Sequence, residues 1–131
     1  MKDFICEDFQ QSVSELLIRH KSILDIMTKL EESQSRVNRA VAKAVTNCGC
    51  IEVDAKKQLI PLDADIEDLK NCMSSHIKGE LCENCKDIIE KEIGNNIFYI
   101  TSLCNALGIS LSTVLEKEYE KINTLGIYNM F

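Results

Sequence analysis

Apolar side chains recur every three or four residues along the first part of the chain, and no glycine or proline lies between Phe9 and Cys48. This spacing is typical of one face of an α-helix. The stretch predicts either a single long helix or two antiparallel helices that break near Glu31-Glu32-Ser33. The apolar series consists of Phe9, Val13, Leu16, Ile23, Met27, Leu30, Val37, Val41 and Ala44.

Two polar residues, His20 and Gln34, stand at places where this series would otherwise be apolar. Either they point at a ligand inside a helical bundle, or they fix the register or oligomeric state of the helices, as polar seam residues do in coiled coils. The pattern favours the second role.

A second helical pattern runs from Glu90 to Lys121 and predicts a helix, a tight turn and another helix. Gly108 suits the left-handed position that ends the first helix, and Ser110 is placed to cap the second. We expect each helix to bury an apolar face. The first face consists of Ile93, Ile97, Ile100, Leu103, Cys104 and Leu107, and the second of Leu111, Val114, Leu115 and Ile122.

Residues from about 48 to 80 lack a long helical period, and we predict that they form an insertion between helical segments. Ile51 to Leu62 reads as an exposed loop with room for one short strand. Asp63 or Asp65 would cap a short helix that ends near Ser75. Cys82 opens the next helix. At the end of the chain, residues 124–131 are apolar and uncharged, so we expect them to dock on the bundle or on a partner subunit.

The composition suits one helical domain that covers residues 1–131, since 45% of the residues are apolar and only one is proline. We predict an all-α fold, a four- to five-helix up-and-down bundle. The net charge of −6 argues against nucleic acid as a partner. No apolar run reaches roughly 18 residues, so no membrane span is expected. The acidic start lacks an apolar signal core, which predicts a cytoplasmic protein.

The second helical pattern resembles the MazG-like all-α nucleotide pyrophosphohydrolases over residues 90–121. Glu92-Ile93-Gly94-Asn95 stands at the place of the family's Glu-x-Gly-Asp motif, and Phe98-Tyr99 follows it. Leu107-Gly108-Ile109-Ser110-Leu111 is similar to the family's turn into its last helix. The resemblance implies a bundle that assembles as a homodimer or homotetramer and hydrolyses a nucleoside triphosphate.

The resemblance also implies a Mg²⁺ site built from two pairs of acids, each pair three residues apart on one helix face. The implied catalytic and metal-binding residues are Glu31, Glu32 and Glu92, with Asn95 as a neutral fourth ligand, and the implied phosphate contacts are Lys117 and Lys121. Asn95 replaces an aspartate of the family, and Gln34 and Ser35 stand where the second acid of the first pair belongs. Such a cage carries less negative charge and should bind Mg²⁺ more weakly than the family's four acids.

Four of the seven cysteines form two close pairs, Cys48-x-Cys50 and Cys82-x-x-Cys85, and His76 precedes the second pair. In a reducing compartment such pairs bind metal more often than they form disulfides. Four thiolates, or three and a histidine, would make a tetrahedral zinc site if the pairs meet in space. Two other interpretations stay open: a redox pair in which Cys82 attacks and Cys85 resolves, or seven thiols that only pack.

Two functions are therefore compatible with the sequence. The first is a divergent, Mg²⁺-dependent nucleoside triphosphate pyrophosphohydrolase. The second is a non-catalytic, oligomeric helical module that binds zinc, or senses redox state, through Cys48, Cys50, Cys82 and Cys85.

Overall fold

A computed structural model of the chain describes residues 4–125 and confirms the all-α fold class. Within these residues there are five α-helices and one pair of short strands. The helices are α1 (Phe4–Leu16), α2 (Ile23–Lys43), α3 (Ile66–Cys72), α4 (Glu83–Leu107) and α5 (Leu111–Leu125), and the strands are β1 (Ile51–Val53) and β2 (Ile77–Gly79). The predicted docking of the C-terminal tail concerns residues 124–131, of which 126–131 lie outside the described residues.

The first helical stretch breaks earlier than the sequence predicts. Residues 31–33 lie inside α2, because they contain no helix breaker. The buried Ser33 hydroxyl is satisfied by donating to the Leu30 carbonyl at 2.7 Å. The chain instead leaves the helix after Leu16, and Ser22 starts α2 by accepting from the Leu24 backbone N–H at 3.3 Å. The expected seam position of His20 is wrong, since His20 lies in this connection, 3.3 Å from the Asp25 carboxylate.

The chain divides into two compact units. The first consists of the described residues up to Arg36 and from Glu92 onward, and the second is Val37–Lys91. Among the described residues no single helix is long and apolar enough to cross a membrane, although α4 and α5, which are bent by 108° at their junction, pass that test as a pair.

In the first unit, α1 packs against α5 and one side chain closes the turn between α4 and α5. The Gln10 amide donates to the Asn105 side chain at 2.9 Å and to the Ile109 carbonyl at 2.8 Å, and it accepts from the Leu111 backbone N–H at 2.8 Å. Gly108 ends α4 at φ 69°, and the Ser110 hydroxyl accepts from the Thr113 backbone N–H at 3.3 Å. Both predicted turn residues are confirmed.

The predicted burial of two apolar faces is wrong for the single chain. Cys104 is buried at 8% exposure, but Ile97 is 42% exposed and Ile122 is 56% exposed. Small polar residues instead fill the most buried positions of this unit, where Thr101 and Ser102 bond to carbonyls one turn earlier in α4 and the Asn96 amide donates to Ser33. These short side chains satisfy their own polar groups, and the buried apolar side chains of this unit are few, such as Val13 and Ile26.

In the second unit, β1 and β2 pair antiparallel with Glu52 opposite Lys78. Of the two predicted caps, Asp65 is the one that caps α3, in a capping box with Asp68. The helix ends at Cys72 rather than near Ser75, because Met73 is extended. The core of this unit is small and consists of Ala44, Ile51, Cys85 and Ile89. Ile51 is the only buried residue from 51 to 81, so packing alone holds this segment weakly.

Candidate metal centre

The first cysteine pair lies where α2 ends in a widened turn. Residues Ala44–Cys48 continue α2 as a π-helical turn, and the Gly49 backbone N–H donates to the Ala44 carbonyl at 2.9 Å. Gly49 adopts φ 76°, a left-handed conformation that reverses the chain directly after Cys48. Cys50 then leads into β1, so both sulfurs of the pair project from one tight turn. π-turns of this kind are frequent at functional sites.

The second pair opens α4. The Cys85 backbone N–H donates to the Cys82 sulfur at 3.4 Å, and the Lys86 backbone N–H donates to the Cys82 carbonyl at 2.9 Å. Cys82 therefore caps the helix with its sulfur, and Cys85 follows one turn later on the same face. The prediction that Cys82 opens this helix is confirmed.

The four sulfurs converge. The Sγ atoms of Cys48, Cys50, Cys82 and Cys85 all lie within 4.8 Å of one another, and those of Cys48 and Cys82 are 3.8 Å apart. A tetrahedron with metal–sulfur bonds of about 2.3 Å has its sulfurs roughly 3.8 Å apart, so the spacing fits one metal ion. It is the one group of three or more potential ligands of this kind among residues 4–125.

The thiols differ in acidity because they hydrogen-bond to one another. The pKa of Cys82 falls to about 7, first because the Cys85 backbone N–H donates to its sulfur and then because the Cys85 thiol does. The pKa of Cys85 rises to about 12, since its thiol donates to Cys82 and is buried. The Cys85 thiol and the Cys50 backbone N–H lower the pKa of Cys48, but its contacts with the thiols of Cys82 and Cys50, together with desolvation, outweigh them, so the pKa of Cys48 is raised. One thiolate is thus stabilised by its neighbours, as a nascent metal ligand requires.

His76 is not part of this cysteine group. Its Nε2 atom lies 3.2 Å from the Gln58 amide nitrogen, in the 54–78 part of the second unit. The possible histidine ligand of the zinc hypothesis is therefore replaced by the fourth cysteine. Of the remaining cysteines, Cys6 and Cys104 are buried in the first unit, and burial raises the pKa of Cys104.

The acids implied by the family resemblance lie in ion pairs. Arg36 Nε donates to the Glu92 carboxylate at 3.1 Å, and Lys29 donates to the Glu32 carboxylate at 2.8 Å. The hydrogen bond to Glu92 raises the pKa of Arg36, and the charge of Glu32 adds to this effect. Glu31 is exposed.

The remaining residues of that hypothesis are on the surface. Asn95 and Lys117 are exposed, and the Lys121 ammonium lies 3.4 Å from Glu118 on the same helix. No structural observation tests the magnesium site, which stays a prediction.

Sequence reasoning missed Gly79, a residue that the centre needs. A Cβ atom there would lie 2.6 Å from the Cys50 carbonyl oxygen, and the residue adopts φ 86°. Only glycine lets β2 approach the first cysteine pair this closely. The one sequence feature that could have identified it is its position three residues before the Cys82-x-x-Cys85 pair.

Chemically, four thiolates form a closed, soft ligand set that suits Zn²⁺ and leaves no coordination position for a substrate. An iron–sulfur cluster would hold its cysteines farther apart, because several metal and sulfide atoms lie between them. Comparison of the chain with models of protein families, with curated proteins and with solved structures found no match in any of the three.

Proposed function

We propose that this chain is a non-catalytic helical module in which Cys48, Cys50, Cys82 and Cys85 bind one structural zinc ion. The carrying observation is that all four sulfurs lie within 4.8 Å of one another. A closed set of four thiolates supports a structural rather than a catalytic metal. The proposed setting is the cytoplasm, where thiols stay reduced and available to metal.

The zinc ion would stabilise the part of the chain that packs least. Residues 51–81 leave the cysteine centre at Cys50 and return to it at Cys82, and Ile51 is their only buried member. A metal that binds only the folded centre stabilises the folded state, because its binding free energy offsets the entropy lost when the ends of this loop are brought together. Structural zinc contributes on the order of 10 kcal/mol or more to the folding of small zinc domains, and this would offset the missing core.

Metal analysis of protein purified without chelator tests the proposal. We expect one zinc per chain, and cobalt substitution should give the absorption of a tetrahedral thiolate site. Cys50→Ser and Cys82→Ser should each lose stoichiometric zinc, whereas Cys72→Ser, which alters a thiol outside the group, should keep it. A metal-free chain with all of its thiols reduced and titratable would refute the zinc module.

Thiol sensing is the alternative use of the same residues. It is favoured by the 3.8 Å separation of the Cys48 and Cys82 sulfurs and by the lowered pKa of Cys82, about 7. Oxidation would then join Cys82 to a neighbouring thiol and release the metal. Mass spectrometry of the protein after mild peroxide treatment should show one disulfide within the group. If cysteines outside the group were oxidised before those within it, this alternative would be contradicted.

The exposed apolar faces support a homo-oligomer. Ile93, Ile97 and Ile100 follow one another at helical spacing on α4 and remain 38–43% exposed. A second copy of the chain is the proposed occupant of this face, because a self-complementary apolar stripe pairs about a two-fold axis. Light scattering after size exclusion should give a dimer or tetramer. Ile97→Glu should dissociate it, and Gln11→Glu, on the exposed side of α1, should not.

A nucleotide pyrophosphohydrolase remains the second candidate function. It is supported by the resemblance over residues 90–121 and by the position of Arg36, on which the carboxylates of Glu32 and Glu92 both act. Glu31, Glu32, Glu92 and Asn95 would hold Mg²⁺, and Lys117 and Lys121 would meet the phosphates. A Mg²⁺-dependent pyrophosphate-release assay over the common nucleoside triphosphates tests it. Turnover that Glu92→Gln abolishes would support the enzyme, and no turnover with any of them would exclude it.

A further inference from the structure

A second candidate site, distinct from the cysteine group, is a cleft of about 420 Å³ in the second unit. Residues from the stretch 54–59, which follows β1, form one wall, and residues from the stretch 72–78, which runs from the end of α3 into β2, form the other. The lining residues are Asp54, Lys56, Lys57, Gln58 and Leu59 on the first wall and Cys72, Ser74, His76, Ile77 and Lys78 on the second. None of the four clustered cysteines lines it. Its volume falls within the range of about 300–1,000 Å³ that small-molecule sites occupy.

Hydrogen bonds hold the two walls together. The Gln58 side chain accepts from the Ser74 backbone N–H at 3.2 Å and donates to the Ser74 carbonyl at 3.0 Å. The Asp54 backbone N–H donates to the His76 carbonyl at 2.8 Å, which extends the strand pairing by one bond. The cleft is therefore built by backbone and amide contacts rather than by chance proximity of surface side chains.

The Gln58 amide also lies against the neighbouring imidazole. The Ser74 backbone fixes which end of the Gln58 amide is the nitrogen, and that nitrogen lies 3.2 Å from His76 Nε2. His76 holds this place at φ 61°, a left-handed conformation that is uncommon for a histidine.

The cleft has the opposite charge to the chain. Its lining contains Lys56, Lys57 and Lys78 against one acid, Asp54, so its formal charge is +3 − 1 = +2, whereas the whole chain carries −6. Lys56 and Lys78 both approach the Asp54 carboxylate, which holds the two ammonium groups at the cleft. Among the described residues no carboxylate lies within ion-pair distance of Lys57. A concave surface of one charge concentrates ions of the opposite charge.

We propose that this cleft binds a small molecule that carries a phosphate group. A phosphomonoester at neutral pH carries a charge of about −1.5 to −2, which matches the excess of lysines, and lysine binds phosphate as a point charge. Leu59 and Ile77 also line the cleft and offer apolar surface to the remainder of the molecule. This site uses none of the zinc ligands and none of the acids of the pyrophosphohydrolase hypothesis.

Titration of the full chain, as purified, with phenyl phosphate tests the proposal. We expect saturable binding by calorimetry and NMR shifts at the Gln58 side-chain amide and at the backbone amides of 54–59 and 72–78. Lys57→Gln should weaken binding about tenfold, as expected for the loss of one charge-assisted contact. The matched control is Lys86→Gln, which removes the same charge from an exposed position on α4 outside the cleft.

The controls separate a site from general charge attraction. Phenol, which has the ring without the phosphate, should not bind, and Lys86→Gln should stay within about twofold of the unaltered chain. Equal weakening by Lys57→Gln and Lys86→Gln, binding of phenol as tight as that of phenyl phosphate, or no saturation at millimolar phenyl phosphate would each overturn the proposal.

Discussion

At the scale of single residues, one backbone amide changes the chemistry of a thiol. The Cys85 N–H points at the Cys82 sulfur because Cys82 caps α4, and the same hydrogen bond is the largest of the causes that lower the pKa of Cys82 to about 7. Helix capping and metal ligation therefore draw on the same geometry. The Cys-x-x-Cys spacing was visible in the sequence, but the hydrogen bond depends on where the helix begins.

Zinc affinity should fall as the pH falls, with a steeper slope below pH 7. Cys48 and Cys85 have raised pKa values, so both carry protons at neutral pH that zinc must displace. Two protons released make the affinity fall at least roughly a hundredfold per pH unit. Below about 7, Cys82 is protonated as well and adds roughly a further tenfold per unit. Competition titrations with a chromophoric chelator between pH 6 and 8 measure both slopes, and a flat profile would contradict thiolate ligation.

Gly79→Ala should damage the second unit and the metal centre together. The added methyl would meet the Cys50 carbonyl at 2.6 Å in a left-handed residue, which should cost about 2 kcal/mol or more. We expect a lower unfolding temperature and weaker zinc binding. Gly94→Ala is the matched control, because nothing lies within 4 Å of its Cβ and it is helical, so it should stabilise by about 0.5–1 kcal/mol. Thermal melting with and without zinc compares the two variants. Equal changes in their unfolding temperatures would refute the close approach of Gly79 to Cys50.

At the scale of elements, the turns and helix caps were predicted correctly from neighbouring residues, whereas the end of α1 and the buried helix faces were not. The turn at Gly108, the cap at Ser110 and the capping box of Asp65 depend on a few neighbouring residues, and all three are present. The end of α1 was not predictable from periodicity, because Leu17 and Ile18 continue the apolar pattern beyond it. Which apolar face would be buried depends on partners that the periodicity does not identify.

Gln10→Ala should weaken the junction between α4 and α5. The Gln10 amide makes three hydrogen bonds there, to Asn105, to the Ile109 carbonyl and from the Leu111 N–H. Their loss should destabilise the first unit by about 1–2 kcal/mol. Gln11→Ala removes only a surface contact with Glu15 and should change stability by less than about 0.5 kcal/mol. Chemical denaturation of both variants gives the comparison. Indistinguishable midpoints would show that these three Gln10 hydrogen bonds, which we call the Gln10 clamp, do not stabilise the first unit.

At the scale of the whole molecule, the two units differ in what stabilises them. The first has buried side chains on three of its helices, such as Val13, Ile26 and Cys104, together with the Gln10 clamp. The second has a core of four buried residues, one of which is also a proposed zinc ligand. The cysteine pairs in the sequence predicted this centre. The convergence of all four sulfurs, and the exclusion of His76, required the fold.

Removal of metal should therefore loosen the second unit selectively. After chelation we expect backbone amides of β1 and β2 to exchange at least about tenfold faster, since Ile51 is the only buried residue from 51 to 81. Amides of the α4–α5 junction should keep their exchange rates. Hydrogen exchange followed by mass spectrometry resolves the two regions. Unchanged exchange in both strands, or equal loss of protection in both units, would contradict a structural metal confined to the second unit.

Gly79 approaches Cys50 so closely that the segment from 51 to 81 returns almost to the point where it departs. Because the two ends of this segment lie side by side, the segment adds surface to the second unit without changing the direction of the helices before and after it. A different sequence in this segment would therefore change the lining of the proposed phosphate cleft and leave the four clustered cysteines unchanged.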